Sequence, residues 1–335
     1  MTAPEFARHW TLQLGCPDTS LIQLQGGINN RVFQCGEGGV RYVIKGYPDA
    51  IQGQRDRMQA EVDFLTYAGC VAPNYVPQLL HHDPFLRCIV IEHFDGDAYT
   101  EGVVPAPRDI KTALEFFRCL NADYNAAHKY ISLDAAEGFL RLSEHVANVQ
   151  RRLTLMGTEH LPREIRTRAA ELLDKVKAAC EGVTNKTESL IVKGSVPDSI
   201  GPDQRCISPS DFGFHNAIRT TSGPKFIDFE FAGWDDPAKT AADFVLQPRV
   251  PTGISISALF QALNYNQIDP LKKRCKALGP VLRIKWLCIM LAVLQPERLM
   301  SLLAIHPRIE PKVLIQRRLS LAATYLQQET LFGLH

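Results

Sequence analysis

The sequence has no Cys-x-x-Cys pair, although it contains nine cysteines in 335 residues. Isolated cysteines are typical neither of a zinc cluster nor of a dithiol redox site, so we expect buried, reduced thiols. Net charge is also nearly absent, because 37 basic residues are balanced by 36 acidic ones. Such a chain has no overall field to attract a nucleic acid or an acidic membrane surface, and we predict neither as a partner.

Long hydrophobic runs are missing as well. The most apolar segment, residues 286–294, is much shorter than a membrane span, and the first ten residues lack the pattern of a secretory signal. Both absences favour a cytoplasmic protein. The 45% hydrophobic and 22% charged composition is that of an ordinary globular protein, and its length provides for two or three structural units.

Several common catalytic motifs are absent. No Gly-Lys dipeptide occurs, which excludes the phosphate-binding loop of P-loop nucleotide hydrolases. Residues 36–39 cannot complete a dinucleotide-binding fingerprint, because Arg41 stands where the third glycine would be. The sequence also lacks Gly-x-Ser-x-Gly and His-Glu-x-x-His, so the hydrolases that depend on those motifs are not predicted.

The first 95 residues have the pattern of a small β-rich lobe around one helix. Apolar residues at helical spacing predict that helix over residues 55–68, with Gly69 as its stop. Residues 37–39 predict a hairpin turn, and short β-rich segments on both sides of it predict an antiparallel sheet of about five strands. The predicted strands cover residues 21–25, 31–35, 40–47, 78–82 and 88–94.

Helical patterns dominate from residue 96 onward. A short β-containing stretch interrupts them at about residues 205–237, where two predicted strands, residues 205–208 and 225–229, flank a polar loop. We therefore predict an α+β protein with an N-terminal lobe of residues 1–95 and a larger helical lobe of residues 96–335. The predicted helices cover residues 109–129, 134–156 and 163–181 and most of the chain after Pro237, and strand-like signals return from residue 183.

The polar loop contains a set of residues suited to phosphoryl transfer. Asp211 is followed five residues later by Asn216, and Asp228 ends the next predicted strand. Transfer from a magnesium nucleotide needs carboxylate and amide oxygens for the metal and a base for the attacking hydroxyl. Asp211-Phe212-Gly213 resembles the metal-binding triplet of protein kinases, but no Asp with an Asn at the required offset precedes it. We therefore interpret Asp211 as the base and Asp228 as a metal ligand.

The first lobe offers groups that could bind phosphates. Gly26 and Gly27 lie in a turn between two predicted strands, where missing side chains let the backbone approach a phosphate closely. Lys45 lies on a following strand, from which its ammonium could reach the α- and β-phosphates. Glu61 on the predicted helix could pair with Lys45, although Asp56 and Asp63 on the same helix are alternatives.

These motifs, in this order, resemble the aminoglycoside phosphotransferase and choline kinase family. The resemblance runs from about residue 21 to 245 and rests on the turn at residues 26–30, on Lys45, on residues 91–96, on the Asp-x-x-x-x-Asn loop and on residues 227–231. That family is similar to protein kinases in fold and phosphorylates hydroxyl groups of small molecules with ATP and Mg²⁺. The resemblance therefore implies a two-lobed kinase-like fold and a small-molecule hydroxyl substrate.

The same resemblance implies roles for individual residues. Asp211 would be the catalytic base, and Asn216 and Asp228 would bind magnesium. Lys45 and Glu61 would anchor the phosphates. The remaining nucleotide contacts would come from Gly26, Gly27 and Asn29 in the turn and from the backbone of Glu92, His93 and Phe94, which would meet the adenine.

The chain departs from the family pattern at two points. Pro209-Ser210 precedes Asp211 where the family usually has His-Gly, and Thr240 stands where an Asp is common. The first change concerns the packing that supports the loop, so an alternative function is a nucleotide-binding module of kinase fold without turnover. A protein kinase is disfavoured, because no activation segment fits between Asp228 and the helix start at Asp236.

Other polar residues have simpler interpretations. We expect Asp236-Pro237 to cap and start a helix, although Glu230, Asp235 and Asp236 could together hold a cationic or polyhydroxyl substrate. We expect His128 to pack in the structure, and for His215 we favour packing over the alternative of a contact with phosphate. The basic runs at residues 151–152 and 272–274 are interpreted as solvated faces, with anchors for a phosphorylated substrate as the alternative.

Overall fold

The computed structural model describes residues 3–24, 30–37, 39–254, 256–262, 268–305 and 309–328. Within these ranges an antiparallel sheet lobe is followed by a helical lobe that carries two small sheets, as the patterns predicted. The strands are β1 (Ile22–Gln23), β2 (Arg31–Glu37), β3 (Val40–Gly46), β4 (Leu79–Asp83), β5 (Cys88–Glu92), β6 (Asp97–Ala98), β7 (Cys206–Ser208), β8 (Ala217–Thr220), β9 (Gly223–Phe226) and β10 (Gly233–Asp235).

The helices begin before the sheet and then make up most of the second lobe. They are α1 (Glu5–Gln13), α2 (Arg57–Val71), α3 (Pro107–Leu120), α4 (Tyr124–Ala127), α5 (Leu142–Thr154), α6 (Arg163–Val192), α7 (Pro237–Leu246), α8 (Ile256–Ala262), α9 (Ile268–Met290), α10 (Pro296–Ile305) and α11 (Pro311–Gln327).

The five-stranded sheet has the order β1-β2-β3-β5-β4 with antiparallel neighbours. One face packs on α1 through buried side chains that include Phe33, Ile44 and Val90. Gly46 has to lack a side chain, because a Cβ there would lie 2.3 Å from the ring of Phe6. The other face packs on α2, which thereby lies beside the strand that carries Lys45.

Helix α2 begins at Arg57 because Asp56 caps it, accepting a hydrogen bond of 3.2 Å from Gln59 N. The predicted stop at Gly69 is wrong, since the helix continues to Val71. A glycine inside a helix costs about 1 kcal/mol relative to alanine. The buried Tyr67 and Ala68 next to it provide packing that outweighs this cost.

Four predicted boundaries in the second lobe are wrong. The helix predicted over residues 109–129 ends at Leu120, and α4 starts separately because Asp123 caps it, accepting from Ala126 N at 2.9 Å. Residues 134–141 are not helical, because the backbone of this segment pairs with Trp234, to whose carbonyl Ala135 N donates at 2.7 Å. The third predicted helix extends to Val192 rather than 181, since its buried face continues through Val183 and Thr187. The strand predicted at residues 225–229 is β9, which covers Gly223–Phe226 instead. It pairs with β8, which the polar sequence of residues 217–220 did not predict as a strand.

Helix α9 is the central helix of the second lobe and packs against α5, α6, α7 and α11. With the 3₁₀ turn that follows it, the segment Asp269–Leu294 is long and apolar enough to cross a membrane by length and composition. In its most apolar window 78% of the residues are buried inside the structure, as in the core helix of a globular protein.

Candidate active site

Lys45 lies between two carboxylates. Its Nζ donates to Glu61 Oε2 at 2.6 Å and to Asp228 Oδ1 at 2.5 Å, and the residue is 5% exposed. Burial disfavours the charged ammonium, but Glu61 and Asp228 outweigh it and raise the pKa of Lys45 above its ordinary value. The structure thus joins three of the predicted residues through one ammonium group.

The elements of the sheet lobe explain this arrangement. Lys45 lies on the central strand β3, and Glu61 lies on α2, where it is 1% exposed. Phe229, next to Asp228, stacks on Phe64 of the same helix with ring centroids 4.5 Å apart. Of the acidic alternatives on or beside the helix, Asp56 is the N-cap and Asp63 bonds Gln59, so only Glu61 meets Lys45.

Asp211 lies in contact with His215 and Asn216. His215 Nε2 lies 3.2 Å from Asp211 Oδ1, and Asn216 Nδ2 donates to the Asp211 carbonyl at 2.9 Å. Burial raises the pKa of Asp211, but the contacts with His215 and Asn216 outweigh it and hold the pKa below the usual range. The side chain of His215 is buried, as expected, and it also contacts the carboxylate of Asp211.

Buried aromatic side chains anchor this loop. Phe212 lies 4.4 Å from Phe117 and 4.9 Å from Phe244 between ring centroids, and Phe214 is fully buried. The two phenylalanines thus hold the loop against the helical core while Asp211 keeps an exposed side-chain fraction of 39%. The Phe of the kinase-like triplet has a packing role here.

Asn216 links the loop to the strand that precedes Asp228. Its backbone carbonyl accepts a hydrogen bond of 2.9 Å from Ile227 N. Its side chain donates through Nδ2, so its Oδ1 remains the atom with the chemistry of a metal ligand. Asp211, Asn216 and Asp228 are therefore held in one region, as the motif predicted.

Backbone strain is concentrated at this region. Among the described residues other than glycine, four have a positive φ, and three of these are Glu137 (52°), Ser210 (65°) and Asp228 (69°). Ser210 Oγ lies 3.4 Å from the Ala136 carbonyl, which places Glu137 close to the loop of Asp211. Left-handed backbone at non-glycine residues costs energy and is often retained at functional sites.

The oxygen donors here fit magnesium. Asp228 has a side-chain exposure of 41%, and carboxylate and amide oxygens are the ligands that Mg²⁺ prefers. Within the described part of the chain, no three His, Cys, Asp or Glu side chains form a metal cluster of their own. A donor set of this kind suits an ion that shares its coordination with waters and the phosphates of a nucleotide.

The segment proposed for adenine follows β5. Glu92 N donates to the Gln78 carbonyl at 3.0 Å, and its side chain accepts from Gln78 N at 3.3 Å. The side chain of Glu92 therefore bonds within the sheet lobe, at the residue before the edge strand β4. The centroid of the Phe94 ring lies 5.5 Å from Lys225 Nζ. Burial is the main cause that lowers the pKa of His93, and the positive charge of Arg41 lowers it further.

The acidic residues after Asp228 are structural. Asp236 caps α7 through a 2.8 Å bond from Ala238 N, as expected, and Asp235 pairs with Lys239 at 2.6 Å. The interpretation of residues 272–274 as a solvated face is wrong for Arg274, which is 3% exposed and donates to Asp236 at 2.6 Å. His128 stacks on Trp234 at 4.2 Å, a packing role as expected.

Gly26, Gly27 and Asn29 lie outside the described residues. Asn30, which follows them, donates through Nδ2 to Glu230 Oε2 at 2.5 Å. Tyr47 is a residue of the site that the sequence patterns did not predict. Its hydroxyl donates to Glu61 at 2.6 Å. The signal for Tyr47 was present, since it lies two residues after Lys45 in the predicted strand 40–47, which places both on one face of that predicted strand.

Residues 20–246 match the model of the phosphotransferase enzyme family. Comparison with curated protein sequences found no match.

Solved structures share the fold over almost the whole chain. A choline/ethanolamine kinase family protein from Mesorhizobium loti is 16% identical with a TM-score of 0.53, over 96% of this chain and 95% of that one. The AMP-bound complex of spectinomycin phosphotransferase APH(9)-Ia is 12% identical with a TM-score of 0.59, over 96% and 99%. A streptomycin–ATP–APH(2")-IIa ternary complex is 14% identical with a TM-score of 0.53, over 94% and 100%. These similarities confirm the predicted two-lobed kinase-like fold.

Proposed function

The chain belongs to the phosphotransferase enzyme family, and on that premise we propose that it transfers the terminal phosphoryl group of ATP to a hydroxyl group of a small molecule. The observation that carries this proposal is the joining of Lys45 to both Glu61 and Asp228, with Asn216 hydrogen-bonded to Asp211 and to Ile227, the residue before Asp228. This arrangement supports the proposal, because it would combine a phosphate-binding cation, metal-ligand oxygens and a base. The nucleotide-bound neighbours support ATP as the donor.

In this proposal each residue has one role. Asp211 orients the acceptor hydroxyl and takes its proton, while the hydroxyl oxygen bonds to the γ-phosphorus and ADP leaves. Lys45 holds the α- and β-phosphates, and Glu61 holds Lys45. Asn216 and Asp228 would bind Mg²⁺, which neutralises charge on the phosphates.

The acceptor is proposed only by class. Neighbouring structures are named for choline, ethanolamine, streptomycin and spectinomycin, which supports a sugar, amino-alcohol or aminoglycoside-like alcohol. We also propose that the protein acts in the cytoplasm, where ATP is available.

Screening for ATP consumption tests the proposal. The purified protein should form ADP in the presence of Mg²⁺ and one member of a panel of sugars, amino-alcohols and aminoglycosides, and mass spectrometry should show that member phosphorylated. Removal of Mg²⁺ with EDTA should stop the reaction. If Mg·ATP raises the melting temperature but no panel member causes consumption, the nucleotide-binding module is favoured. If Mg·ATP does not bind, the proposal is wrong.

A further inference from the structure

Arg55 donates to three backbone carbonyl groups of the second lobe. Its Nε donates to the Glu230 carbonyl at 3.1 Å, and its two terminal nitrogens donate to the carbonyls of Ala232 and Asp134. These acceptors belong to two separate chain segments. A planar guanidinium presents its donors in fixed directions, so Arg55 holds both segments in one geometry.

The segment that Arg55 holds is the one that carries Asp228. Glu230 and Ala232 lie two and four residues after Asp228, in a short loop that leads to β10. Arg57 adds a second contact, because its guanidinium lies 5.2 Å from the ring centroid of Phe231. The loop of residues 228–232 is thus attached to the start of α2 through both backbone and side-chain contacts.

Helix α2 has a second connection to the same site. Its Glu61 holds Lys45, and Lys45 also contacts Asp228. The helix start is itself fixed, because Asp56 accepts two hydrogen bonds of 2.9 Å from Arg87 on the β4–β5 hairpin. A shift of α2 would therefore move the Lys45–Glu61 pair and the Asp228 loop together.

We propose that Arg55 is a positioning residue that keeps the Asp228 loop aligned with α2, so that the metal-binding carboxylate and the Lys45–Glu61 pair assemble together. This inference rests on the proposed function, since it assigns the contact a consequence for magnesium nucleotide binding. A residue that only stabilised the fold would affect binding with and without magnesium equally.

Calorimetry of nucleotide binding tests the inference with Arg55→Lys, which keeps the charge but cannot donate in three fixed directions. We expect affinity for Mg·ADP to fall about tenfold, since charge-assisted hydrogen bonds that align Asp228 are lost. Affinity for ADP in EDTA should stay within about threefold of wild type, because Lys45 and Glu61 remain. Arg87→Lys is the matched control, as Arg87 holds the same helix start without touching the loop.

The outcomes separate the two proposals. The measured quantity is the ratio of the affinity for Mg·ADP to the affinity for ADP in EDTA. If this ratio in Arg55→Lys equals that of wild type, the inference is overturned. The inference is also overturned if Arg87→Lys changes the ratio as much as Arg55→Lys does. In both cases the proposed function is unaffected, because the wild type still binds Mg·ADP. A wild type that binds no magnesium nucleotide overturns both proposals.

Hydrogen exchange on the wild type tests the same inference without depending on whether a variant folds. Peptides covering residues 55–62 and 228–234 should gain protection at the same Mg·ADP concentration, because Arg55 connects them. Protection of one peptide without the other would contradict the proposed coupling.

Discussion

Lys45 and Asp228 are joined by a salt bridge of 2.5 Å although 183 residues separate them in the sequence. Lys45 belongs to the central strand of the sheet lobe, and Asp228 belongs to a loop of the helical lobe. The bridge therefore connects the two lobes at the point where the nucleotide phosphates are proposed to bind. Glu61 completes the arrangement from α2, so the site depends on three elements at once.

Replacing Lys45 with Met should affect stability and binding separately. Glu61 would become a buried carboxylate without its ammonium partner, which we expect to lower the free energy of unfolding by about 3–5 kcal/mol. The double variant Lys45→Met/Glu61→Gln should recover much of that loss but not nucleotide binding. Urea denaturation and calorimetry measure the two effects, and recovery of nucleotide binding in the double variant would contradict the role of Lys45.

Asp211→Ala should slow turnover severely while ATP still binds with nearly wild-type affinity. Loss of the proposed base should lower kcat by about 10²–10⁴-fold, because the acceptor hydroxyl is no longer oriented or deprotonated. The measurement is steady-state kinetics with the acceptor found by screening. Asp174→Ala, which removes an exposed carboxylate from α6, is the control. Full activity of Asp211→Ala would refute the assignment.

Ser210→Gly should stabilise the protein. Ser210 has a φ of 65°, a left-handed conformation that glycine adopts without steric cost, and the related family usually has glycine at this position. We expect the free energy of unfolding to rise by about 0.5–1 kcal/mol in urea denaturation. Ser210→Ala keeps the strain and loses the hydroxyl, so it should give no gain. Equal stabilities of the two variants would show that backbone strain is not the cause.

Arg274→Ala should be far more damaging than Lys273→Ala next to it. Arg274 pairs with the buried Asp236 and also donates to the carbonyls of Leu140, Pro197 and Asp198. Leaving Asp236 without its partner should cost about 3–5 kcal/mol of stability. Lys273 is exposed, and its replacement should change stability by no more than about 0.5 kcal/mol. Thermal or urea unfolding of the two variants measures the difference.

His145 should make stability depend on pH below neutrality. Burial, followed by the charges of Lys239, Lys285 and Arg274, lowers the pKa of His145 well below 6.5. The unfolded chain therefore binds a proton below pH 6.5 that the folded protein does not, and stability falls as pH decreases. The expected slope is about 1.4 kcal/mol per pH unit below that point.

The variant His145→Gln isolates this contribution. Its stability should decline less steeply than that of wild type between pH 6.5 and 5, as measured by urea denaturation at several pH values. His82→Gln, which changes an exposed histidine on β4, is the control and should follow the wild-type profile. Parallel profiles for His145→Gln and wild type would show that His145 does not cause the slope.

Local patterns predicted the sheet lobe well. Strands β2 and β3 follow the alternation and the glycine turn of the sequence, and their antiparallel pairing from Arg31–Gly46 to Glu37–Val40 needs only neighbouring residues. Boundaries that depend on distant partners were missed. Residues 134–141 leave the helical pattern because their backbone pairs with Trp234, about a hundred residues away, and no local signal reports that pairing.

The sequence determined some properties of the candidate site and the tertiary structure determined others, for a physical reason. The sequence by itself determined which side chains could do the chemistry, because Asp211, Asn216, Asp228 and Lys45 stand in a motif order with a chemical rationale. Only the tertiary structure decided that Glu61 rather than Asp56 or Asp63 meets Lys45. It also decided that Arg274 is buried against Asp236. The charge of a side chain is a local property, whereas its partner and its burial depend on segments that folding brings together.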